Sequence, residues 1–268
     1  MKKLHEFIDK WLSEEEVIKL ITDFRTGKER YDLRLFDDLL FDPLGYEGIE
    51  EYEGYYYGTM IERSELKLER QGNKIVPGDI DIVFIPYNQN QVFFNRTAVW
   101  EVKIARPHSE KINKSSKSLG TDQIRGLMED GFPLIGLMHV CMSYPLKESS
   151  LVDIRFHKDP GPYPGKSFEE YPHEIVKMDW LPGLSIKNQM NRMIMSGLPK
   201  YIGMTAFALN FDSSNRKLIT LSEEYRGYSS GYFNPKKSGN TINAIKEHFE
   251  LFGDKRYTKL KIWDLNEN

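Results

Sequence analysis

The run Gly78-Asp79-Ile80-Asp81-Ile82-Val83-Phe84 is followed, one short connection later, by Val99-Trp100-Glu101-Val102-Lys103. On a strand alternate side chains share a face, so Asp79 and Asp81 point one way and Ile80 and Ile82 the other. Glu101 and Lys103 share a face in the same manner, opposite Val102. A hairpin symmetric about Gln91 sets Asp81 opposite Glu101. Two carboxylates and an ammonium then meet at the sheet. Neighbouring carboxylates each favour protonation of the other, and a divalent cation removes that conflict. Mg²⁺ is a hard ion that takes carboxylate oxygens and keeps several waters. Such an ion eases deprotonation of water and offsets charge on a phosphoryl oxygen, while a lysine beside it can orient or activate the attacking water. The set suits hydrolysis of a phosphodiester. A solvated edge-strand pair is the bland reading of Glu101 and Lys103. Bulky Trp100 and Val102 on the opposite face point instead to a central strand, where acids without a partner are costly.

The elements that must position these residues follow from periodicity. Ser13 with Glu16 forms a capping-box pattern, and Val17, Ile18, Ile21 and Phe24 recur at helical spacing. A second helix is expected over Tyr31 to Phe41. The segment Tyr55 to Leu68 reads equally as a tyrosine-rich strand or as a helix presenting Glu62 and Glu65. A hairpin follows, with a strand around Ile80–Phe84, a turn near Tyr87–Gln91 and a strand over Ala98–Ala105. A Ser/Lys-rich loop spans Arg106 to Gly120. Thr121 then caps a short helix with Ile124, Leu127 and Met128 on its apolar face, ending near Gly131. Leu134 to Met142 is nearly all apolar, as in a strand buried on both faces. Strand, helix and buried strand make a βαβ unit. Pro160, Pro162 and Pro164 mark a loop. Beyond it the pattern predicts a strand near Glu174–Trp180, a methionine-rich helix from Leu184 to Met195, a hairpin from Tyr201 to Leu221 and a helix from Thr241 to Phe252. Met190, Met193 and Met195 read as core filler.

Asp81 followed one strand later by Glu101-Val102-Lys103 resembles the PD-(D/E)xK nuclease superfamily, and Gly78-Asp79-Ile80-Asp81 resembles its Gly-x-x-Asp pattern. The resemblance covers about Tyr55 to Met142. It implies a restriction endonuclease-like αβββαβ core with a central mixed sheet. Asp81, in preference to Asp79, and Glu101 would bind Mg²⁺ or Mn²⁺, with Lys103 as the catalytic lysine. Gln123 occupies the place of a polar residue common on the helix after the E-x-K strand. Glu62 or Glu65 would supply an additional acid, with Asp79 a further candidate. The expected organisation is one elaborated α/β domain over 1–268, with an N-terminal helical part (1–54), a catalytic core (55–142) and a C-terminal α+β extension (143–268).

The chain has 268 residues and a net charge of −3, which argues against a generic nucleic-acid coat. The average hides a strong asymmetry. Asp37 to Glu65 is −8, Lys103 to Arg125 is +4 and Asn234 to Lys261 is +4. Arg106, Lys111, Lys114, Lys117 and Arg125 are therefore candidate contacts to a phosphate backbone. DNA is the expected partner, with RNA and a homodimeric state left open. No apolar stretch reaches the length of a membrane span, and the first residues lack the apolar segment of a secretory signal. A cytoplasmic protein is expected. One cysteine, Cys141, leaves no internal disulfide and no multi-cysteine zinc site. His139, beside Cys141 in the apolar strand, reads as a satisfied core histidine. A non-catalytic nucleic-acid or protein-binding module on the same fold is the alternative, and its mark would be a broken acidic cluster. Gly227-Tyr228-Ser229-Ser230-Gly231 matches G-x-S-x-G, but Pro235 discourages the helix that a serine-esterase elbow at Ser229 requires.

Overall fold

The computed structural model describes residues 12–26, 44–45, 51–68, 79–107, 119–142, 151–157, 167, 170, 172–212, 217–221 and 227–261. In chain order the elements are α1 (Glu14–Thr26), β1 (Gly54–Ile61), β2 (Ile80–Tyr87), β3 (Ala98–Ala105), α2 (Thr121–Asp130), β4 (Leu134–Cys141), β5 (Val152–His157) and β6 (His173–Met178). They continue with α3 (Leu181–Ile194), β7 (Gly203–Asp212), β8 (Lys217–Leu221), β9 (Gly227–Ser229), α4 (Gly239–Phe252) and β10 (Thr258–Lys261). The architecture is mixed α/β. Among the described residues one eight-stranded sheet runs β10-β1-β2-β3-β4-β7-β8, with β9 also on β7, and β5–β6 is a separate two-stranded ribbon. Among the described strand pairs, β3–β4 and β4–β7 are parallel and the rest antiparallel.

The ambiguous tyrosine-rich segment is a strand as far as Ile61 and then turns. Tyr55 is buried against Phe84 while Tyr56 packs on Tyr87 and Phe249, so the aromatics serve alternate faces. The β2–β3 hairpin is longer in strand and more elaborate in turn than expected, since β2 runs to Tyr87 and a 3₁₀ turn occupies Phe94–Arg96. Its register matches the symmetric expectation: Ile82 pairs with Trp100 and Phe84 with Ala98, which sets Asp81 across from Glu101.

Both faces of the sheet are covered. On one, Val17, Ile18 and Ile21 of α1 pack with Ile82, Phe84, Trp100, Val102 and Met138. On the other, Ile124 and Leu127 of α2, Ile186, Met190 and Met193 of α3 and Ile245 of α4 pack with Val83, Val99, Ile135 and Leu137. Every residue of β4 is therefore buried. Such continuous apolar runs are characteristic of strands covered on two sides. Gly136 is required there by its neighbour: a β-carbon would stand 2.3 Å from the Trp100 ring.

The C-terminal part completes the central sheet on both flanks, because β7 joins β4 and β10 joins β1. Met190 and Met193 fill the core as expected, but Met195 lies beyond the end of α3 and is exposed. Strands β5, β9 and β10 were not anticipated. β9 and β10 are only three and four residues long, while β5 carries a regular alternation of Val152, Ile154 and Phe156 with Asp153, Arg155 and His157 that was passed over. The second helix expected over Tyr31–Phe41 and the proline-rich loop lie outside the described residues.

Candidate metal centre

The site forms where β2 and β3 part. Their ladder ends at Ile82–Trp100, and beyond that point the Asp81 side chain takes over. Its Oδ2 accepts the backbone N–H of Val102 at 2.6 Å. On the other flank Met60, bracketed by the pairs Thr59–Ile82 and Ile61–Ile80, faces Asp81 and has a positive φ of 50°. A non-glycine residue in that region is strained, and such strain clusters at functional sites. The backbone is irregular on both sides of Asp81.

Asp81, Glu101 and Lys103 are all buried. The Lys103 ammonium lies 2.7 Å from Glu101 and 2.7 Å from Glu14. Glu14 reaches the cluster because α1 begins beside the end of β3, where Arg106 donates to the Leu12 carbonyl. The capping box fixes that helix start: Ser13 N–H donates to Glu16 and Glu16 N–H donates to the Ser13 hydroxyl. Glu14, Asp81 and Glu101 each present a carboxylate oxygen, and these oxygens lie within 4.8 Å of one another. Together they could hold a metal ion.

The electrostatics favour a cation. Burial, then the charge of Glu101, pushes the Asp81 carboxyl up to about 8, against the opposing pull of the Val102 N–H and Lys103. Burial likewise raises Glu101, with Lys103 pulling the other way. Burial alone would lower Lys103, but Glu101 and Glu14 outweigh it and hold the ammonium above its ordinary range. With all three carboxylates ionised, as a bound cation would require, the cluster and its one ammonium carry a formal charge of −2. A hard divalent cation matches both that charge and an all-oxygen donor set.

Several expected residues are placed elsewhere. Asp79 is exposed, just before β2. Glu62 is exposed and accepts from Ser64. Glu65 is a structural anchor: it binds Arg256 and stands 3.1 Å from His248, tying β1's exit to α4 and the segment before β10. The third acid is Glu14, not Glu62 or Glu65. Its only sequence signal was a place in the acidic first turn of a helix, where acids are ordinary because they complement the helix dipole. Gln123 is on the first turn of α2, half-buried, with no hydrogen bond to the cluster among the described residues. The residue before that helix is Gly120, not a capping threonine.

Of the basic candidates, Arg106 is tied to Leu12 and Arg125 pairs with Asp122 at 3.0 Å. Lys111, Lys114 and Lys117 lie outside the described residues. Cys141 is buried and its thiol is pushed up to about 12 by burial, so it is inert. His139 is a fully buried histidine with partners at both ring nitrogens, as expected. Ser229 ends the short strand β9 and is followed by irregular chain, so no nucleophile elbow exists there.

Among the described residues no helix is long and apolar enough to cross a membrane. Comparison with protein-family models, with curated proteins and with solved structures finds no match to this chain.

Proposed function

We propose that the protein is a divalent-cation-dependent nuclease that hydrolyses phosphodiester bonds of DNA, as a restriction-type, repair or mobile-element endonuclease. The observation that carries this reading is the convergence of Asp81, Glu101 and Glu14 on one point with Lys103 beside them. The element order α1-β1-β2-β3-α2-β4, with β3 and β4 parallel, is that of an αβββαβ core and supports the resemblance to PD-(D/E)xK nucleases.

Asp81, Glu101 and Glu14 would hold Mg²⁺ or Mn²⁺. Once bound, the cation supplies Lewis acidity toward a phosphoryl oxygen. Lys103 is kept protonated by its two acidic neighbours, so its role is to orient water and offset developing negative charge rather than to accept a proton. Asp81 is held by the Val102 N–H and Glu101 by the Lys103 ammonium, so the acids are aimed before any ligand arrives.

A purely structural ion-pair cluster is the competing account. It explains Lys103 between Glu101 and Glu14. It does not explain Asp81, a second buried acid whose proton affinity burial and the charge of Glu101 raise against the pull of Val102 and Lys103. A binding module that had lost catalysis would be expected to lack one of these acids, and all are present.

The test is incubation of plasmid and linear DNA with the protein, with and without Mg²⁺ or Mn²⁺. Cleavage is expected only with metal, and only with Asp81 and Lys103 intact. Activity that persists in EDTA, or in Asp81→Ala and Lys103→Ala variants, removes the mechanism. Failure to cut any nucleic acid favours the binding module.

A further inference from the structure

Next to Lys103 lies a buried polar group that the proposed chemistry leaves unused. His139 is the partner of Lys103 across the parallel β3–β4 ladder, and none of it is exposed. Its Nδ1 is 3.0 Å from Oε1 of Gln189 on α3, and its Nε2 is 3.2 Å from the carbonyl of Leu119. Leu119 precedes Gly120, which enters α2 in the left-handed conformation at φ 76°. A β-carbon at Gly120 would stand 3.3 Å from Cγ of both Glu101 and Lys103 and 2.9 Å from Cδ1 of Leu137. The 119–120 turn therefore rests on the stems of two residues of the cluster; the Ile124 N–H holds it from α2 and His139 holds it from β4 through the Leu119 carbonyl.

The proton on His139 can be placed. With oxygens on both sides the ring would need two N–H donors and a positive charge. Burial, with Arg192 and Lys103 nearby, holds His139 below its ordinary range, so the ring is neutral and has one N–H. A backbone carbonyl cannot exchange roles, but a glutamine amide can be turned end for end. Gln189 Nε2 is buried without a partner. Turning the amide lets Nε2 donate to Nδ1 of His139 and leaves the Nε2–H of His139 for Leu119, in exchange for the long 3.5 Å contact that Arg192 Nη1 makes to Oε1.

We propose that His139 is the positioning residue of this site: as a neutral imidazole donating from Nε2 to the Leu119 carbonyl, it fixes the turn that sets the side-chain conformations of Glu101 and Lys103. The inference rests on the acidic cluster being a metal centre.

Nitrogen NMR of the metal-free wild-type protein reads the tautomer directly, and the Nε2–H form is expected at pH 7. An Nδ1–H ring or an imidazolium overturns the proposal, whether or not metal or substrate binds. Mn²⁺ affinity, read by electron paramagnetic resonance, is then compared in His139→Leu and His139→Gln. Leucine removes the donor, whereas glutamine can place an amide N–H near the position of Nε2. The leucine variant is expected to bind Mn²⁺ about ten-fold or more weakly, and the glutamine variant to stay within about three-fold of wild type, as for lost and retained outer-shell partners of a metal. A merely structural histidine would lower Tm in both variants while the folded protein kept wild-type Mn²⁺ affinity, and that result overturns the proposal. Should the leucine variant not fold, Gly120→Ala displaces the same turn from its other side, and unchanged Mn²⁺ affinity there overturns it equally. If the tautomer and Mn²⁺ results hold but the wild type cuts no nucleic acid, the nuclease reading falls and the positioning role stands.

Discussion

Asp81→Asn separates a metal centre from an ordinary buried ion-pair cluster. In the folded metal-free protein the Asp81 carboxyl titrates near 8, against 3.8 for an ordinary aspartate. Between those values the folded state holds a proton that the unfolded chain has released. Stability therefore falls as pH rises, by up to ~1.4 kcal/mol per pH unit, with the penalty absent below about pH 4 and complete above about pH 8. At pH 7 the ceiling is ~4 kcal/mol, and relaxation and water access around a coupled pair bring the expectation to about 2 kcal/mol. Asparagine keeps the shape and can still accept from the Val102 N–H, 2.6 Å away in the wild type. It loses the repulsion with Glu101. The metal-free variant should thus be more stable than wild type at pH 7, with Tm higher by about 4–8 °C for a domain of this size. The gap should close toward pH 5. With Mg²⁺ the ranking should reverse, because only the wild type gains stability from the ion. Wild-type affinity for the ion should rise with pH up to about 8, since binding displaces the proton. Thermal melts at pH 5, 6, 7 and 8, in EDTA and in Mg²⁺, provide the test. An Asp81→Asn protein that is less stable than wild type in EDTA at pH 7, yet keeps the full Mg²⁺ shift, refutes the reasoning.

Lys103→Met removes the cation that bonds both Glu101 and Glu14, so the metal-free protein should lose stability while its gain on adding Mg²⁺ exceeds that of wild type, measurable in the same melts. DNA cleavage by that variant should drop by about 10² or more in a single-turnover assay. Glu14→Gln should weaken Mn²⁺ binding about ten-fold by titration. Glu65→Gln should leave Mn²⁺ affinity unchanged and lower stability by about 1–2 kcal/mol, because it loosens Arg256 and His248 instead. Gly136→Ala drives a methyl into the Trp100 ring and should destabilise by about 3 kcal/mol in urea unfolding, with loss of native indole fluorescence as the local signature.

The aspartate, glutamate and lysine of the centre were legible in the sequence because all three lie on one hairpin. Strand alternation and a two-sided register are local rules, and they put Asp81 opposite Glu101 without any knowledge of the rest of the chain. The same is true of α2, β3 and β4, whose limits follow from apolar periodicity and from a short helix bounded by glycines. Glu14 was not legible. Its own helix accounts for it as a first-turn acid, and only the packing of α1 on the opposite face of the sheet carries it to the end of β3. Glu65 looked eligible on spacing, but the chain turns after Ile61 and delivers it to Arg256 and His248. His139 was recognisable as a satisfied core histidine. What satisfies it, and that this bond fastens the turn over Glu101 and Lys103, depends on α3 and the 119–120 turn converging on β4. Local periodicity decided which side chains share a strand face. The long-range packing of helices on both faces of the sheet decided which charges meet, and the convergence of partly exposed Glu14 on buried Asp81 and Glu101 is what makes three ordinary acids a candidate site for a cation.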